Sequence, residues 1–281
     1  MAETYSTEYP STIIVQRLDG TIYDLGKLGF RVTSFDPPSP NWQHTYQQVG
    51  KYGAQLINSE VQQTTIPLVL DGIATDNYDL ELQRLMLRQI FSSHEPFYVI
   101  SMRTPYLRWK VVADTFSIAQ LNSYHKLKSV AINLLCGDGY AESTATTLTP
   151  FTYDAESWGI GMNLPNGVDL DYSFTVPSFK VYNASIIPLN ADERPVTIVF
   201  KGTVPSSLSI FNKTTGQTFT LTRKLSTSDT LIIKGLVPIV NSSQDYGNSN
   251  HKYLDFATGW NDIQVVGATG FTISFETRFY Y

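Results

Sequence analysis

Residues 35–70 read FDPPSPNWQHTYQQVGKYGAQLINSEVQQTTIPLVL. The prolines at positions 37, 38 and 40 fix the backbone φ angle and remove amide donors, so regular structure pauses there. Two polar runs suited to β-strands follow, at 41–49 and 54–65, on either side of the sequence GKYG. Glycine accepts the positive φ that tight turns require, so the pattern predicts a long β-hairpin.

At the end of this stretch the sequence changes from polar to alternating apolar residues. Ile66, Leu68 and Leu70 alternate with other residues, as in a strand that enters a core. A two-stranded ribbon buries little apolar surface by itself and is marginally stable in water. Two interpretations stay open: an arm that pairs with a neighbouring subunit, or a hairpin folded back on its own domain.

The overall composition limits the classes of function. A chain of 281 residues favours two domains, and an aromatic content of 13% favours strands. The net charge of −5 argues against sequence-specific binding of nucleic acid. The single cysteine, Cys136, is expected to be a small buried residue. Neither a signal peptide nor an apolar run of about 20 residues is present, so we expect synthesis in a cytoplasm and no membrane partner.

The sequence pattern of the first part of the chain indicates a small β-structure with one helix. A hairpin is expected around Asp19-Gly20, and further strands at 30–35, 96–102, 109–114 and 127–136. A helix is predicted at about 76–91, with Asp76 as its N-cap. Its predicted apolar face consists of Tyr78, Leu82, Leu85, Met86 and Ile90.

The sequence pattern of the second part of the chain indicates only strands and turns. A Gly/Ser/Thr-rich segment at 141–150 is the predicted linker between a first domain, 1–140, and a second domain, 151–281. The second domain contains about eight short strand candidates separated by turn signals, which is typical of a β-sandwich or jelly roll.

The residues that could carry chemistry are scattered. The four histidines lie in separate segments, and there is no nucleophile elbow or phosphate-binding loop. We therefore expect no catalytic activity, no metal and no cofactor. Asp169 and Asp171 flank Leu170 and could form a glycosidase couple or a calcium site, although a solvated strand edge is more common.

Two tryptophans in the second domain are candidate sugar contacts. Trp158 lies in the Gly-rich sequence ESWGIGMN, and Trp260 follows Thr258-Gly259. An exposed indole ring can stack on a pyranose, which would make the domain a carbohydrate-binding adhesion module for host cell-wall saccharide. Burial in the core is the alternative for both residues.

The order of these features resembles that of a known family. VTSFDPPSP (32–40), IPLVLDG (66–72), the helix leading into EPFYVI (95–100) and LLCGDGYAES (134–143) are similar to segments of the distal tail proteins of siphophages that infect Gram-positive bacteria. The resemblance extends over nearly the whole chain and is strongest at about 10–143.

The resemblance implies a fold and an assembly. The first domain would be a split β-barrel with one helix and a projecting hairpin, and the second a galectin-like β-sandwich. Six copies would close into a hexameric ring, in which the hairpin at about 41–65, called the belt, reaches the neighbouring subunit. The expected belt contacts are Trp42, His44, Tyr46, Gln48, Tyr52, Gln55 and Ile57.

The resemblance also implies a place in the virion. The ring would be a structural hub at the tail tip, between the major tail tube protein and the tail-associated tip protein. Receptor-binding or baseplate proteins would dock outside it, and DNA would pass through its lumen.

Overall fold

The computed structural model describes residues 12–92, 94–119, 126–152 and 157–281. The chain divides into two compact units, Met1–Glu142 and Ser143–Tyr281. Strands dominate both units, and the described residues contain one α-helix, α1 (Asn77–Phe91), and one short 3-10 helix, Tyr246–Asn248. The prediction of a mainly β protein with one α-helix is confirmed. Neither described helix has the length and apolarity that crossing a membrane requires.

The first unit is built on one antiparallel sheet and one separate hairpin. Its strands are β1 (Ile13–Gln16), β2 (Ile22–Asp24), β3 (Phe30–Phe35), β4 (Asn41–Val49), β5 (Gly53–Gln62), β6 (Thr64–Ile73), β7 (Phe97–Ser101), β8 (Leu107–Ala113) and β9 (Lys126–Cys136). Seven of them follow the order β2-β1-β7-β8-β9-β6-β3, while β4 and β5 pair with each other. Among the described residues no pairing joins β2 to β3, the two ends of this strand order.

β6 connects the hairpin to the core of the first unit. It pairs with β9 along one edge, starting at Thr64 opposite Cys136, and with β3 along the other. Ile66, Leu68 and Leu70 are all fully buried, as their alternation predicts. Thr64 is buried as well, so the hairpin ends at Gln62 and residues 64 and 65 belong to the sheet.

Helix α1 is fixed at both ends. At its start the Asp76 carboxylate accepts a hydrogen bond of 2.8 Å from the Asp79 amide, which confirms the predicted N-cap. At its end the Arg17 guanidinium donates to the carbonyl oxygens of Gln89, at 2.9 Å, and Ile90. These carbonyls have no partner within the helix, so Arg17 supplies the hydrogen bonds that the last turn lacks.

The helix buries a different face from the predicted one. Its buried residues are Leu80, Gln83, Leu87, Ile90 and Phe91. Tyr78, Leu82 and Leu85, which were predicted to be in the core, are 84%, 62% and 51% exposed. Of the predicted face only Ile90 is fully buried, and Met86 packs partly against the core. Apolar residues occur on two sides of this helix, so periodicity alone selected the wrong side. We call Tyr78, Leu82 and Leu85 the outer stripe of α1.

The second unit is a β-sandwich. Its strands, together with β10 at the boundary between the units, are β10 (Glu142–Ser143), β11 (Ser173–Phe174), β12 (Ser178–Asn183), β13 (Thr197–Thr203), β14 (Leu208–Asn212), β15 (Gln217–Leu221), β16 (Leu231–Lys234), β17 (Val237–Val240), β18 (Ser243–Gln244), β19 (Gly259–Val266) and β20 (Thr269–Glu276). One sheet has the order β11-β20-β13-β16-β17-β18 and the other β12-β19-β14-β15. Phe179 of one sheet and Phe275 of the other bring their ring centroids to 5.7 Å, which places the core between the sheets.

Residues 143–150, from the predicted linker, are a packed segment of the second unit. The Ser143 amide donates to the Phe279 carbonyl oxygen at 2.8 Å, and the Thr147 hydroxyl donates to the Phe275 carbonyl oxygen at 2.7 Å. Arg278 in turn donates to the Ser143 carbonyl oxygen. The small polar residues that suggested a flexible connection are therefore used to hydrogen-bond the end of the chain.

A pair of leucines on α1 tests the orientation of the helix. Leu87→Ala should lower the free energy of unfolding by about 2–5 kcal/mol, because it removes a fully buried side chain. Leu82→Ala, the matched control on the outer stripe, should change it by less than about 0.5 kcal/mol. Urea unfolding of the monomeric chain measures both. Equal losses would contradict this orientation.

Candidate interaction surfaces

The hairpin of β4 and β5 stands apart from the main sheet. Pairing runs from Asn41 opposite Gln62 to Val49 opposite Gly53, and within the described part of the chain neither strand joins another sheet. All nine residues of β4 are exposed. A ribbon with both edges unpaired is an available surface for another chain.

The hairpin has two unlike faces. Directly opposed residues of an antiparallel pair lie on the same side, and successive residues alternate between sides. One side, which we call the apolar face, carries Trp42, His44, Tyr46, Leu56 and Val61, together with Gln48, Ala54 and Ser59. The other side, the polar face, carries Asn41, Gln43, Thr45, Gln47, Gln55, Asn58, Glu60 and Gln62, with Val49 as its apolar residue near the tip. The ring centroids of His44 and Tyr46 are 6.4 Å apart, and the Asn58 amide donates to the Glu60 carboxylate at 2.7 Å, in agreement with this division.

The apolar face is covered only near its base. Val61 is half-buried, and its side chain is so close to Gly139 that a Cβ there would lie 2.4 Å from the Val61 Cγ1. Trp42, opposite Val61, and Tyr46 and Leu56, farther out, each expose about half of their surface. Lys51 and Glu60 are the only Lys, Arg, Asp or Glu residues between positions 41 and 62. The projecting part therefore presents apolar groups with almost no charge.

The predicted belt contacts separate into three groups. Trp42, His44, Tyr46 and Gln48 share the side of the apolar face. Gln55 lies on the polar face, and Ile57 lies at a bulge where the pairing shifts between Thr45 and Tyr46. Tyr52 is almost fully exposed at the tip.

The sequence prediction missed Leu56 and Val61 of the apolar face. The bulge changes which residues of β5 oppose β4, so their side could not be read from alternation. Their apolar character was the only available signal.

Trp158 belongs to the core of the second unit. It is 1% exposed, its ring stacks on Phe151 at a centroid distance of 4.5 Å, and its Nε1 donates to the Pro150 carbonyl oxygen. Tyr172 packs in the same cluster, and burial raises the pKa of its phenol well above the usual range. A ring enclosed in this way has no face available to a sugar, so the structure excludes Trp158 as a saccharide contact.

Trp260 is in a different setting. It is 42% exposed on β19, opposite Tyr182 of β12, with ring centroids 4.9 Å apart. The Tyr182 hydroxyl donates to the Asn163 carbonyl oxygen at 2.9 Å, which fixes that ring. The neighbouring cross-strand pair, Lys180 and Asp262, forms an exposed ion pair at 3.7 Å. An aromatic surface thus lies beside hydrogen-bonding groups.

The two candidate carboxylates lie at the surface. Asp169 and Asp171 are both exposed and line an open pocket together with Thr149, Pro150 and Tyr172. Within the described residues no group of three or more His, Cys, Asp or Glu side chains could hold a metal ion. The site therefore offers two solvated carboxylates in a pocket with a mixed polar and apolar lining.

The polar loop at 241–250 is held by a network of hydrogen bonds. The Asn241 amide donates to the Asp229 carboxylate at 2.6 Å, and the Arg223 guanidinium donates to Asp245 at 2.7 Å. The backbone amide of Ser226, followed by the Asn241 side chain, lowers the pKa of Asp229 to about 2. The loop is therefore tied to the sandwich through charged groups.

Comparison with known proteins supports the resemblance drawn from the sequence. Residues 18–136 match the family described as phage tail protein RIFT-related domain. The fold is similar to that of the Dit (gp 19.1) protein of phage SPP1, described as a paradigm of the hub adsorption apparatus in phages that infect Gram-positive bacteria. That match has 12% identity and a TM-score of 0.69, and it covers 95% of this chain and 99% of that chain.

A second structure gives a weaker likeness. A chain of the phage p2 baseplate in its activated conformation with Sr matches with 8% identity and a TM-score of 0.50, covering 94% of this chain and 97% of that chain. No curated protein sequence matches the chain.

The two tryptophans should differ sharply when truncated. Trp158→Ala should lower the free energy of unfolding by about 3–5 kcal/mol, since it removes a large, fully buried ring. Trp260→Ala should cost less than about 1 kcal/mol, because its ring is partly in solvent. Urea denaturation followed by circular dichroism measures both, and a large loss for Trp260→Ala would place that ring in the core.

Proposed function

We propose that this chain, which carries a phage tail protein RIFT-related domain at residues 18–136 and has the fold of a siphophage distal tail protein, is the structural hub of a phage tail tip. It self-associates into a hexameric ring and has no catalytic role. The observation that carries the proposal is the projecting hairpin with its uncovered apolar face.

Exposure of the apolar side chains of the hairpin to water is unfavourable, and this favours association into a ring. The apolar side chains of the hairpin gain about 25 cal/mol for each square ångström removed from water, and in the single chain only the base of that face is covered. A neighbouring subunit provides the missing cover. A ring closes when each subunit presents two different surfaces, and the hairpin is one of them.

A hub at the tail tip would contact the proteins on both sides of its ring and around it. The major tail tube protein lies on one side of the ring and the tail-associated tip protein on the other. Receptor-binding or baseplate proteins dock around it. DNA passes through the lumen without being read, consistent with the acidic net charge of −5. The protein is made in the cytoplasm of the infected host and resides at the virion tail tip.

Removing the hairpin tests ring formation. Replacing residues 42–61 by Asn-Gly joins Asn41 to Gln62, which already face each other, through a two-residue turn. We expect the unmodified chain to have about six times its chain mass of 31.5 kDa, and the shortened chain to remain a folded monomer. Light scattering behind a sizing column measures both masses.

A matched variant controls for nonspecific effects. Gln43→Ser with Gln47→Ser changes only the polar face and should keep the mass of the unmodified chain. A shortened chain that still forms the full ring would contradict the role of the hairpin.

A second candidate function rests on the surface around Trp260. We propose that the second unit, a galectin-like sandwich, binds cell-wall saccharide through the exposed indole, with Lys180 and Asp262 as hydrogen-bonding neighbours. Partly exposed aromatic rings beside polar groups are suited to stacking on a pyranose.

Saccharide binding would depend on a single ring. Trp260→Ala should abolish binding of cell-wall polysaccharide fragments, measured by calorimetry, while the fold is retained because the side chain is partly exposed. Val266→Ala, at the other end of the same strand, is the control that should bind normally. Absence of binding by the unmodified chain would remove this function.

A further inference from the structure

The outer stripe of α1 is a second uncovered apolar surface on the first unit. Tyr78, Leu82 and Leu85 follow the spacing i, i+4, i+7, which places them on one side of a helix. All three are more than half exposed, although the opposite side of the helix is packed into the core. Isolated exposed leucines are common, whereas an aligned set indicates a contact surface.

Charge does not interrupt this stripe. Gln89, one turn beyond Leu85 on the same side, is exposed and uncharged. Of the charged side chains beside the stripe, Glu81 and Arg84 pair with each other at 2.5 Å. Arg88, three residues after Leu85, is exposed at the edge of the stripe. A surface laid on the stripe would therefore meet charge only at its margin and would not have to desolvate the partners of this ion pair separately, which is the usual penalty at a buried contact.

The apolar face of the hairpin fits the stripe in size and character. From Tyr78 to Leu85 the helix rises about 10 Å, at about 1.5 Å per residue. From Trp42 to Tyr46 the strand extends about 13 Å, at about 3.3 Å per residue. The projecting part of the apolar face carries no Lys, Arg, Asp or Glu, so it offers the stripe apolar contact without charge of its own.

We infer that the outer stripe of α1 receives the apolar face of the hairpin of a neighbouring copy. This inference rests on the proposed ring and identifies the second of the two surfaces that the ring requires. The contact is heterologous: each chain gives its hairpin to one neighbour and its helix to the other, which is the arrangement that closes a ring. It also packs a helix on a two-stranded ribbon, so that two amphipathic elements bury their apolar sides together.

Two double variants test the helix side and the hairpin side of the contact separately. The helix variant, Leu82→Ser with Leu85→Ser, should weaken each subunit contact about 100-fold and leave the fold intact, because both side chains are exposed. The hairpin variant, Trp42→Ser with Tyr46→Ser, should have the same effect. The matched control is Gln43→Ser with Gln47→Ser on the polar face. Sedimentation velocity measures assembly, and circular dichroism checks the fold.

Cross-linking identifies what the stripe contacts. A chain with Tyr46→Cys and Leu85→Cys, treated with a short bismaleimide, should form a covalent ladder ending at six chains. A chain with Gln47→Cys and Leu85→Cys should give no ladder, because residue 47 faces away. The native Cys136 is buried, so the unmodified chain is the background control.

The possible results separate this inference from the ring itself. A helix variant that assembles normally overturns the inference and leaves the ring in place. Loss of assembly without cross-linking between positions 46 and 85 also overturns it and points to a different occupant of the stripe, such as another tail protein. An unmodified chain that stays monomeric at every concentration overturns both proposals. Loss of assembly together with the ladder establishes the contact.

Discussion

The pairing of β6 with β9 and β3 fixes the position of the hairpin in the first unit. Three fully buried side chains, Ile66, Leu68 and Leu70, hold β6 in the core, and the chain reaches this strand from β5 through Gln63 alone. A separate ribbon of two strands would be marginally stable and could point in many directions. Because β5 leads directly into the buried strand β6, the base of the hairpin has a defined position.

The same unit carries two elements that each turn apolar side chains outward. The hairpin combines its apolar face with a side rich in glutamine and asparagine, and α1 combines its outer stripe with a packed inner side. A monomer gains nothing from such an arrangement, since only the base of the hairpin face is covered. The arrangement would become favourable in the proposed ring, where a neighbouring chain covers these apolar sides.

Much of the fold could be predicted from local signals. The hairpin, the ends of α1 and most strands of the sandwich follow from turn residues, a capping aspartate and alternation. The orientation of α1 could not be predicted, because both of its sides carry apolar residues and the choice depends on what packs below. The short strand β17 gives little alternation to detect, because Pro238 interrupts it, although the strand pairs with β16. For the candidate surfaces, the location of the hairpin could be predicted from its turn and polar runs, whereas its two faces depend on one bulge and could not.

The near absence of charge on the hairpin has a consequence for the conditions under which it can act. Lys51 and Glu60 are its only residues of the Lys, Arg, Asp and Glu types. Dissolved salt screens the attraction between charges, with a Debye length of about 10 Å at 0.1 M. Because the hairpin carries so few charges, salt has little attraction to screen in a contact that it makes. Apolar contacts instead lose strength on cooling. A contact made by this hairpin is thus governed by temperature far more than by ionic strength.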